Sequence, residues 1–261
     1  MRCSSPIAPF ASTIRLPDRS AKIHRIPVIS VVVPVYRSAE TLHELHRRLR
    51  DVLDAGSRAY EIVFVDDACP EGSRAVLEAI VQNDARVSVL TLGRHVGQQQ
   101  AVLAGLGRAR GRCVVVMDAD LQDPPEAIPE LLAAVEQDFA AVFAGRRGKH
   151  EPFVRRLTSR LFKSALHALC STPTDAGLYV AMRRDMVERV LAFGEPGPSV
   201  VAMIGCVGLP MSSVPVQRAP RSTGRSGYSV WTRMNMGALT IVWVVAQQRR
   251  ARQRQAPARH V

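Results

Sequence analysis

From residue 28 onward the chain alternates short apolar runs with stretches of helical periodicity, a pattern typical of an α/β protein. The apolar runs fall at Val28–Val35, Ile62–Val65, Val87–Leu92, Cys113–Met117 and Phe139–Ala144. The helical patterns lie between and after these runs, at 39–55, 73–84, 97–109 and 126–137. Near-continuous apolar strands separated by helices of about ten or more residues predict a mostly parallel central sheet covered by helices on both faces.

The apolar run at 113–117 leads directly into Asp118-Ala119-Asp120. We expect these two carboxylates to lie at the carboxyl end of a strand, where open α/β sheets keep their ligands. With Gln122 they offer hard oxygen ligands to Mg²⁺ or Mn²⁺, which proteins usually hold with one or two carboxylates plus substrate phosphates. The alternative is an Asp-rich turn that only caps the next helix.

Further carboxylates follow the other strands. Asp66 and Asp67 come directly after the second apolar run, and Glu40 opens the helix after the first. Each could simply cap a helix, but together they would gather along one edge of the sheet and suit a metal–nucleotide complex. There is no Gly-x-Gly-x-x-Gly motif after the first strand and no Gly-Lys-Ser/Thr loop, so the usual dinucleotide and phosphate-loop sites lose their support.

The charge balance predicts an anionic partner. The chain has 35 Lys and Arg against 23 Asp and Glu, a net charge of +12. A phosphorylated substrate, a lipid headgroup surface or nucleic acid would each fit this charge, but no nucleic-acid-binding motif is present and we expect no nucleic acid. Scattered cysteines, the lack of a visible signal peptide and the lack of a run of about 18 apolar residues predict a cytoplasmic setting.

Five segments together carry a resemblance to a known family. They are Val31–Tyr36, Phe64–Asp67, Gly97-Gln98 with Ala104-Gly105-Leu106, Asp118–Glu126 and Arg218–Ser229. In order and spacing they resemble the family 2 inverting glycosyltransferases. Within that family they are similar to the polyprenyl-phosphate branch, which contains dolichol-phosphate mannose synthases and bacterial undecaprenyl-phosphate glycosyltransferases. The resemblance covers about residues 28–235.

The resemblance implies a GT-A-type fold, a nucleotide-diphosphate-sugar donor, Mg²⁺ or Mn²⁺ as cofactor, and undecaprenyl or dolichyl phosphate as acceptor. By position, the donor-binding residues would be Pro34, Tyr36, Glu40, Asp66, Asp67, Gly97, Gln98, Asp118 and Ser226. The metal would be held by Asp118, Asp120 and Gln122, and Arg221 would lie near the donor diphosphate or the acceptor phosphate. A lipid phosphate needs no strong general base. A sugar hydroxyl would need one, and Asp175 is then the first candidate.

The sequence departs from the branch's pattern at four points. After the Asp pair, residues 68–73 read Ala-Cys-Pro-Glu-Gly-Ser, where the branch usually has a Gly-Ser pair. His95 stands where the branch commonly has Asn, and we interpret it as a structural or surface residue. The segment at 175–179 keeps an Asp-x-Gly but lacks the acidic residue and the Phe that often follow. The two carboxyl-terminal membrane helices common in bacterial members are also missing, and a separate membrane subunit is one way to replace them.

We predict a disordered basic arm at 1–26, the glycosyltransferase domain at 27–230, and an amphipathic segment with a basic tail at 231–261. Residues 153–169 form a second amphipathic pattern, with apolar residues on one side and basic residues on the other. Such helices lie at a membrane surface, or else pack their apolar side on the protein as ordinary surface helices. The membrane alternative predicts a peripheral protein on anionic lipid at the cytoplasmic face.

Three functions therefore stay open at the level of sequence. The first is transfer of a sugar to a polyprenyl phosphate, and the second is transfer to a soluble glycan. The third is a basic binding protein for acidic lipid or nucleic acid that has no catalytic activity. The intact pair of Asp118 and Asp120 favours an enzyme over the third alternative.

Overall fold

The computed structural model describes residues 11–13, 28–147, 153–218 and 230–255. Its centre is an eight-stranded sheet in the order β1-β4-β3-β2-β5-β7-β6-β8. The strands are β1 (Ala11–Thr13), β2 (Ile29–Val35), β3 (Tyr60–Asp66), β4 (Val87–Leu92), β5 (Cys113–Val116), β6 (Ala141–Arg147), β7 (Val180–Arg183) and β8 (Met211–Gln217). Pairs that involve β1 or β7 are antiparallel, and the other pairs are parallel.

Helices cover both faces of this sheet. They are α1 (Ala39–Ala55), α2 (Ser73–Asn83), α3 (Gln98–Arg108), α4 (Ile128–Glu136), α5 (Phe153–Cys170), α6 (Arg184–Leu191), α7 (Val200–Val207) and α8 (Val230–Gln255). Helices α1, α2 and α4 pack on one face against Val31, Val33 and Phe64. Helices α3, α6 and α7 pack on the other face against residues such as Val32 and Val63. Alternate residues of a strand point to opposite faces, so a strand with a layer on each side must be apolar throughout.

The predicted α/β architecture is confirmed. The bounds of α1 and β4 agree with the prediction, and the other predicted elements up to residue 144 differ mainly at their ends. The predicted helix at 126–137 begins instead as a 3₁₀ turn at Pro125–Ala127, before α4. One finding in the amino-terminal segment was not predicted. Residues 11–13 lie inside the segment predicted to be disordered and pair with β4 as an edge strand, while the rest of 1–26 lies outside the described residues.

The region after residue 170 contains the elements that the sequence pattern did not reveal. Strand β7 has only four residues, and β8 is mostly half-exposed and contains Pro215, so neither gives a long apolar run. The predicted helices at 153–169 and after 231 are present as α5 and α8. Both pack against α7, around a small cluster formed by Leu166, Ala202 and Val244.

Among the helices that the structure describes, none has enough length and apolar character together to cross a membrane. Cysteines 69, 113, 170 and 206 are free thiols.

Candidate active site

The carboxyl ends of β2, β3 and β5 meet at one edge of the sheet. The parallel register places Val35 beside Asp66, and the amide of Met117 donates to the carbonyl of Val32 at 3.2 Å. Strand β7 runs the other way, so the loop before it, which contains Asp175, reaches the same edge. The topology therefore brings together the strand-end residues that are far apart in the chain.

The loop after β5 holds Asp118 and Asp120 in a defined conformation. The hydroxyl of Thr41, in the first turn of α1, donates to the carbonyl of Ala119 at 2.6 Å. The backbone amide of Gln122 donates to the carboxylate of Asp120 at 3.2 Å. The side-chain amide of Gln98, at the start of α3, donates to Oδ1 of Asp118 at 2.6 Å. Contacts from two helices and from the loop itself thus orient both carboxylates.

These residues fit a divalent cation that shares its coordination with a phosphorylated substrate. Asp118, Asp120 and Gln122 are half-buried and provide carboxylate and amide oxygens. Within the described parts of the chain, no three His, Cys, Asp or Glu side chains form a metal-binding group. A pair of carboxylates completed by substrate phosphates is the arrangement that proteins commonly use for Mg²⁺.

Asp66 and Asp67 are adjacent in sequence but have different surroundings. Asp66 is only 2% exposed, and its Oδ1 accepts a hydrogen bond from the backbone amide of Cys69 at 3.1 Å. Asp67 is 1% exposed and accepts the amides of Val96 and Gly97 at 2.7 and 2.9 Å. The carboxylate of Asp67, which we expected to contact the donor, is therefore occupied by the loop that precedes α3.

Tyr36 and His95 form a stacked pair beside these carboxylates. Their ring centroids are 4.1 Å apart with an interplanar angle of 23°, and the guanidinium of Arg37 lies 5.4 Å from the Tyr36 centroid. Nδ1 of His95 lies 2.8 Å from Oδ2 of Asp67. We interpreted His95 as structural or surface, and the structure gives it contacts with both a donor-binding candidate and a buried carboxylate. Of the other candidates, Pro34 is buried and Glu40 is exposed.

Asp175 lies in the loop before β7, in contact with β6 and β8. The hydroxyl of Ser213 donates to Oδ2 of Asp175 at 3.1 Å. A Cβ atom at Gly145 would lie 2.0 Å from the same oxygen, so only glycine leaves room for this carboxylate. Asp175 therefore contacts β6 and β8. In the strand order these two strands lie beyond β7, whereas β2 and β3 lie on the other side of β5.

A buried ion pair supports the far side of the Asp-rich loop. Asp123 has no exposed surface, and its carboxylate pairs with the guanidinium of Arg218, directly after β8. The Tyr179 hydroxyl donates to the carbonyl of Pro124 at 2.8 Å. Burial and the nearby Asp123 carboxylate raise the pKa of Tyr179, so this hydroxyl keeps its proton as a donor. Arg221 and Ser226 lie outside the described residues.

Sequence reasoning missed the supporting residues around the site. Thr41, Asp123 and Arg218 stand in motifs or helix starts that we had noted, but no local pattern predicts their partners. Asp123 and Arg218, which form an ion pair, are 95 residues apart in the sequence, and Thr41 and Ala119, which form a hydrogen bond, are 78 residues apart. Such contacts depend on how the strands are ordered in the sheet.

The model of glycosyl transferase family 2 matches residues 30–191. The chain belongs to glycosyl transferase family 2. This confirms the family inferred from the strand-end motifs.

The sequence is also similar to that of a polyprenyl-phosphate transferase. The chain is 34% identical over 218 residues to an undecaprenyl-phosphate 4-deoxy-4-formamido-L-arabinose transferase from Pseudomonas paraeruginosa, with 82% of this chain and 64% of the relative covered. The chain spans 62–66% of the length of the curated relatives that it matches first.

Solved structures agree on the fold. A mannosyltransferase from Pyrobaculum calidifontis in complex with GDP-Man and Mn²⁺ has a TM-score of 0.61 at 21% identity, covering 89% of this chain and 68% of that one. A glucosyl-3-phosphoglycerate synthase from Mycobacterium tuberculosis, in complex with Mn²⁺, UDP and phosphoglyceric acid, has a TM-score of 0.64 at 18% identity, covering 85% and 78%. The expected GT-A fold is confirmed.

Proposed function

We propose that this chain is a metal-dependent inverting glycosyltransferase that moves a sugar from a nucleotide-sugar donor to a polyprenyl phosphate at the cytoplasmic face of the membrane. The observation that carries the proposal is the pair of oriented carboxylates, Asp118 and Asp120, at the ligand-binding edge of a family 2 domain. The name of the relative from Pseudomonas paraeruginosa, an undecaprenyl-phosphate transferase, supports this acceptor class.

The donor's base and ribose would lie over the ends of β2 and β3. Pro34 and Tyr36 stand at the end of β2, Asp66 ends β3, and Glu40 lies in the first turn of α1. Asp66 pairs with Val35, the residue before Tyr36, and its described hydrogen bond uses only Oδ1, so the other oxygen is suited to accept a hydrogen bond from the base. If Asp66 has this role, Asp66→Ala weakens binding of both the nucleoside diphosphate and the full donor, and isothermal titration would detect the loss.

The donor diphosphate would lie towards β5. Asp118, Asp120 and Gln122 would hold Mg²⁺ or Mn²⁺, and a bound cation supplies neutralisation of the charge that develops on the departing nucleoside diphosphate. Arg221 and Ser226 would complete this role from the segment that follows Arg218. The pairing of Arg218 with Asp123 supports that direction, because it fixes the start of this segment against the Asp-rich loop.

A polyprenyl phosphate is already anionic, so positioning and charge stabilisation are sufficient for its attack on the anomeric carbon. Asp175 is then not needed as a base. Its hydrogen bond with Ser213 and its close approach to Gly145 support a structural role, in which Asp175 ties the loop before β7 to β6 and β8.

The proposal predicts transfer of labelled sugar into a lipid-extractable product. The experiment supplies a panel of radiolabelled UDP- and GDP-sugars, undecaprenyl or dolichyl phosphate, and Mg²⁺ or Mn²⁺, with chelator as the control. We expect label in the organic phase only when metal is present. Label that stays in a water-soluble glycan would instead support the soluble-acceptor alternative. The lack of nucleotide-sugar turnover and of nucleotide binding under all conditions would favour a non-catalytic protein.

The outer face of α8 is the part of the described chain best suited to a membrane surface. One face of α8 packs on the protein through Thr240, Trp243 and Val244. The opposite face remains apolar, with Leu239 50% exposed and Val242 68% exposed. The predicted stripe consists of Trp231, Met234, Ala238, Ile241, Val242 and Val245. Within it, Ala238 and Val242 are exposed, Ile241 and Val245 are half-buried, and Ile241 packs against the cluster of Leu166, Ala202 and Val244, while the side chains of 231–234 lie outside the described residues.

Basic residues follow the apolar part of α8. The side chains of Arg249 and Arg250 are exposed, and α5 carries further Arg residues in its sequence. An apolar helix face next to basic side chains is the pattern of an interfacial helix on anionic lipid. Headgroup attraction contributes about 1 kcal/mol per basic residue and is screened by salt. We therefore propose a peripheral association that high salt weakens.

Replacing two apolar side chains on the outer face of α8 should separate membrane binding from catalysis. The double variant Leu239→Glu, Val242→Glu is expected to lower flotation with anionic vesicles by about tenfold or more, because each apolar side chain contributes roughly 1.5–3 kcal/mol when buried. Leu191→Glu, at an exposed leucine of α6, is the matched control. Transfer to a short, water-soluble acceptor phosphate should be unchanged. Equal flotation of the double variant and the unmodified protein would exclude this face as the membrane surface.

A further inference from the structure

Three consecutive glutamines at the start of α3 have three different surroundings. The side-chain amide of Gln98 donates to Oδ1 of Asp118 at 2.6 Å. The side-chain oxygen of Gln99 accepts the backbone amide of Val200, at the start of α7, at 2.7 Å. The side chain of Gln100 is exposed. Of the three, Gln98 is the one that joins α3 to the candidate metal-binding loop.

The start of α3 is itself held by a buried carboxylate. Asp67 accepts the backbone amides of Val96 and Gly97 on separate oxygens, and His95 contacts one of these oxygens. Gly97 has a φ of 88°, a backbone conformation that favours glycine, and its carbonyl accepts the first hydrogen bond of the helix from Ala101 at 3.0 Å. Asp67 therefore fixes the three residues that immediately precede Gln98.

We propose that Asp67 and Gln98 are positioning residues for the metal-binding carboxylate. Asp67 holds residues 95–97, this loop sets the first turn of α3, and Gln98 then orients Asp118 towards the cation and the donor diphosphate. The inference rests on the proposed function and gives Asp67 and Gln98 a role different from direct donor contact. Both oxygens of Asp67 are engaged by backbone amides of the loop, whereas the described hydrogen bond of Asp66 uses only Oδ1, so Asp67 is the less suited of the two to contact a donor molecule.

The chemistry of Gln98 suits this role. Its amide donates to one carboxylate oxygen without adding charge, so the carboxylate is oriented and keeps its attraction for a cation. Partners that hydrogen-bond to metal ligands fix their orientation, and their loss typically weakens metal affinity by about 10- to 100-fold. A glutamate at position 98 would place a second carboxylate against Asp118. Repulsion between the two negative charges would then change the orientation of the Asp118 side chain.

The first experiment measures metal affinity without turnover. Binding of Mn²⁺ is titrated in the presence of saturating UDP or GDP, whichever the unmodified protein binds, and is followed by calorimetry and by the shift in melting temperature. We expect Gln98→Ala to raise the apparent Kd of Mn²⁺ by about tenfold or more. Gln100→Ala, a matched change on the same turn of α3, should leave it unchanged. An unchanged Kd for Gln98→Ala would overturn the inference.

The second experiment tests whether Asp67 acts through Gln98. Asp67→Asn keeps the size of the side chain but turns one amide-accepting oxygen into a donor, so the loop loses a hydrogen bond. If Asp67 acts through Gln98, the double variant Asp67→Asn, Gln98→Ala weakens Mn²⁺ binding about as much as the stronger single variant does. The fold-changes in Kd of the two single variants then do not multiply. Multiplying effects would show that Asp67 acts independently, which would overturn the inference.

A gentler variant covers the case in which Asp67→Asn does not fold. His95→Phe keeps a ring against Tyr36 but removes the contact with Asp67. For His95→Phe we expect faster amide hydrogen exchange at Val96 and Gly97 together with weaker Mn²⁺ binding. Faster exchange with unchanged Mn²⁺ binding would show that the effect stays local, and it would overturn the inference that Asp67 acts on the metal site. Failure of the proposed function is distinct, because the unmodified protein would then show no metal-dependent nucleotide binding.

Discussion

Asp120→Ala is expected to remove metal-dependent transfer while the protein stays folded. The residue lies in a loop after β5, where its carboxylate accepts, among its contacts, a hydrogen bond from the amide of Gln122 at 3.2 Å. We expect a loss of more than about 100-fold, because loss of even an outer partner of a metal ligand costs about 10- to 100-fold. Asp120→Asn should be nearly as damaging, since it keeps the shape but removes the charge that attracts the cation. Turnover as a function of Mn²⁺ concentration measures the effect.

Asp51→Ala provides the control for Asp120. Asp51 is an exposed carboxylate on α1 that pairs with Arg47 at 2.9 Å, away from the sheet edge. It should have near-normal activity and melting temperature. If Asp120→Ala kept most of its activity at saturating metal, Asp120 would not be a metal ligand.

Among substitutions that break one ion pair, Arg218→Met is expected to cause the largest decrease in the free energy of unfolding. Asp123 is fully buried, so removal of the guanidinium leaves a charged carboxylate without this partner in the interior. Breaking a buried pair in this way typically costs about 3–5 kcal/mol of the free energy of unfolding. The pair also fixes the start of the segment that contains Arg221 and Ser226, so we expect weaker donor or acceptor binding as well. Urea unfolding measures the change in stability.

Arg58→Met is the matched control, because Arg58 pairs with Glu136 at the surface, where both side chains are about half exposed. Exposed pairs contribute about 0–1 kcal/mol. Adding Asp123→Asn to Arg218→Met should recover part of the lost stability, since the buried carboxylate charge is then gone. Equal unfolding free energies for Arg218→Met and Arg58→Met would show that the buried pair does not stabilise the fold.

The fold of residues 28–147 could be predicted because its pattern is local. A strand buried on both faces must be apolar along its length, as Val31–Val35 is, and an amphipathic helix such as α1 repeats its apolar residues with helical periodicity. Strand β8 escaped prediction because it is half-exposed and contains a proline. The four residues of β7 are too few to give a periodic signal.

The helix α8 illustrates a second limit of sequence patterns. Its sequence is apolar nearly all round between 236 and 246, so periodicity cannot tell which side packs on the protein. The structure buries Thr240 and Val244 and leaves Val242 exposed. The predicted stripe combines the exposed Ala238 and Val242 with Ile241, which packs against the cluster of Leu166, Ala202 and Val244, so it did not identify the side of α8 that packs on α5 and α7.

The sequence by itself determined the α/β alternation, the family and the candidate metal carboxylates, because Asp118 and Asp120 follow a buried strand and need only chain order to be located. Only the tertiary structure separated Asp66 from Asp67. Asp66 ends β3 and Asp67 follows it directly, but the backbone of residues 95–97 comes close to Asp67 and engages both of its oxygens. Long-range hydrogen bonds and the pairing of Asp123 with Arg218 depend on the order of strands in the sheet, and strand order is not encoded in any local pattern.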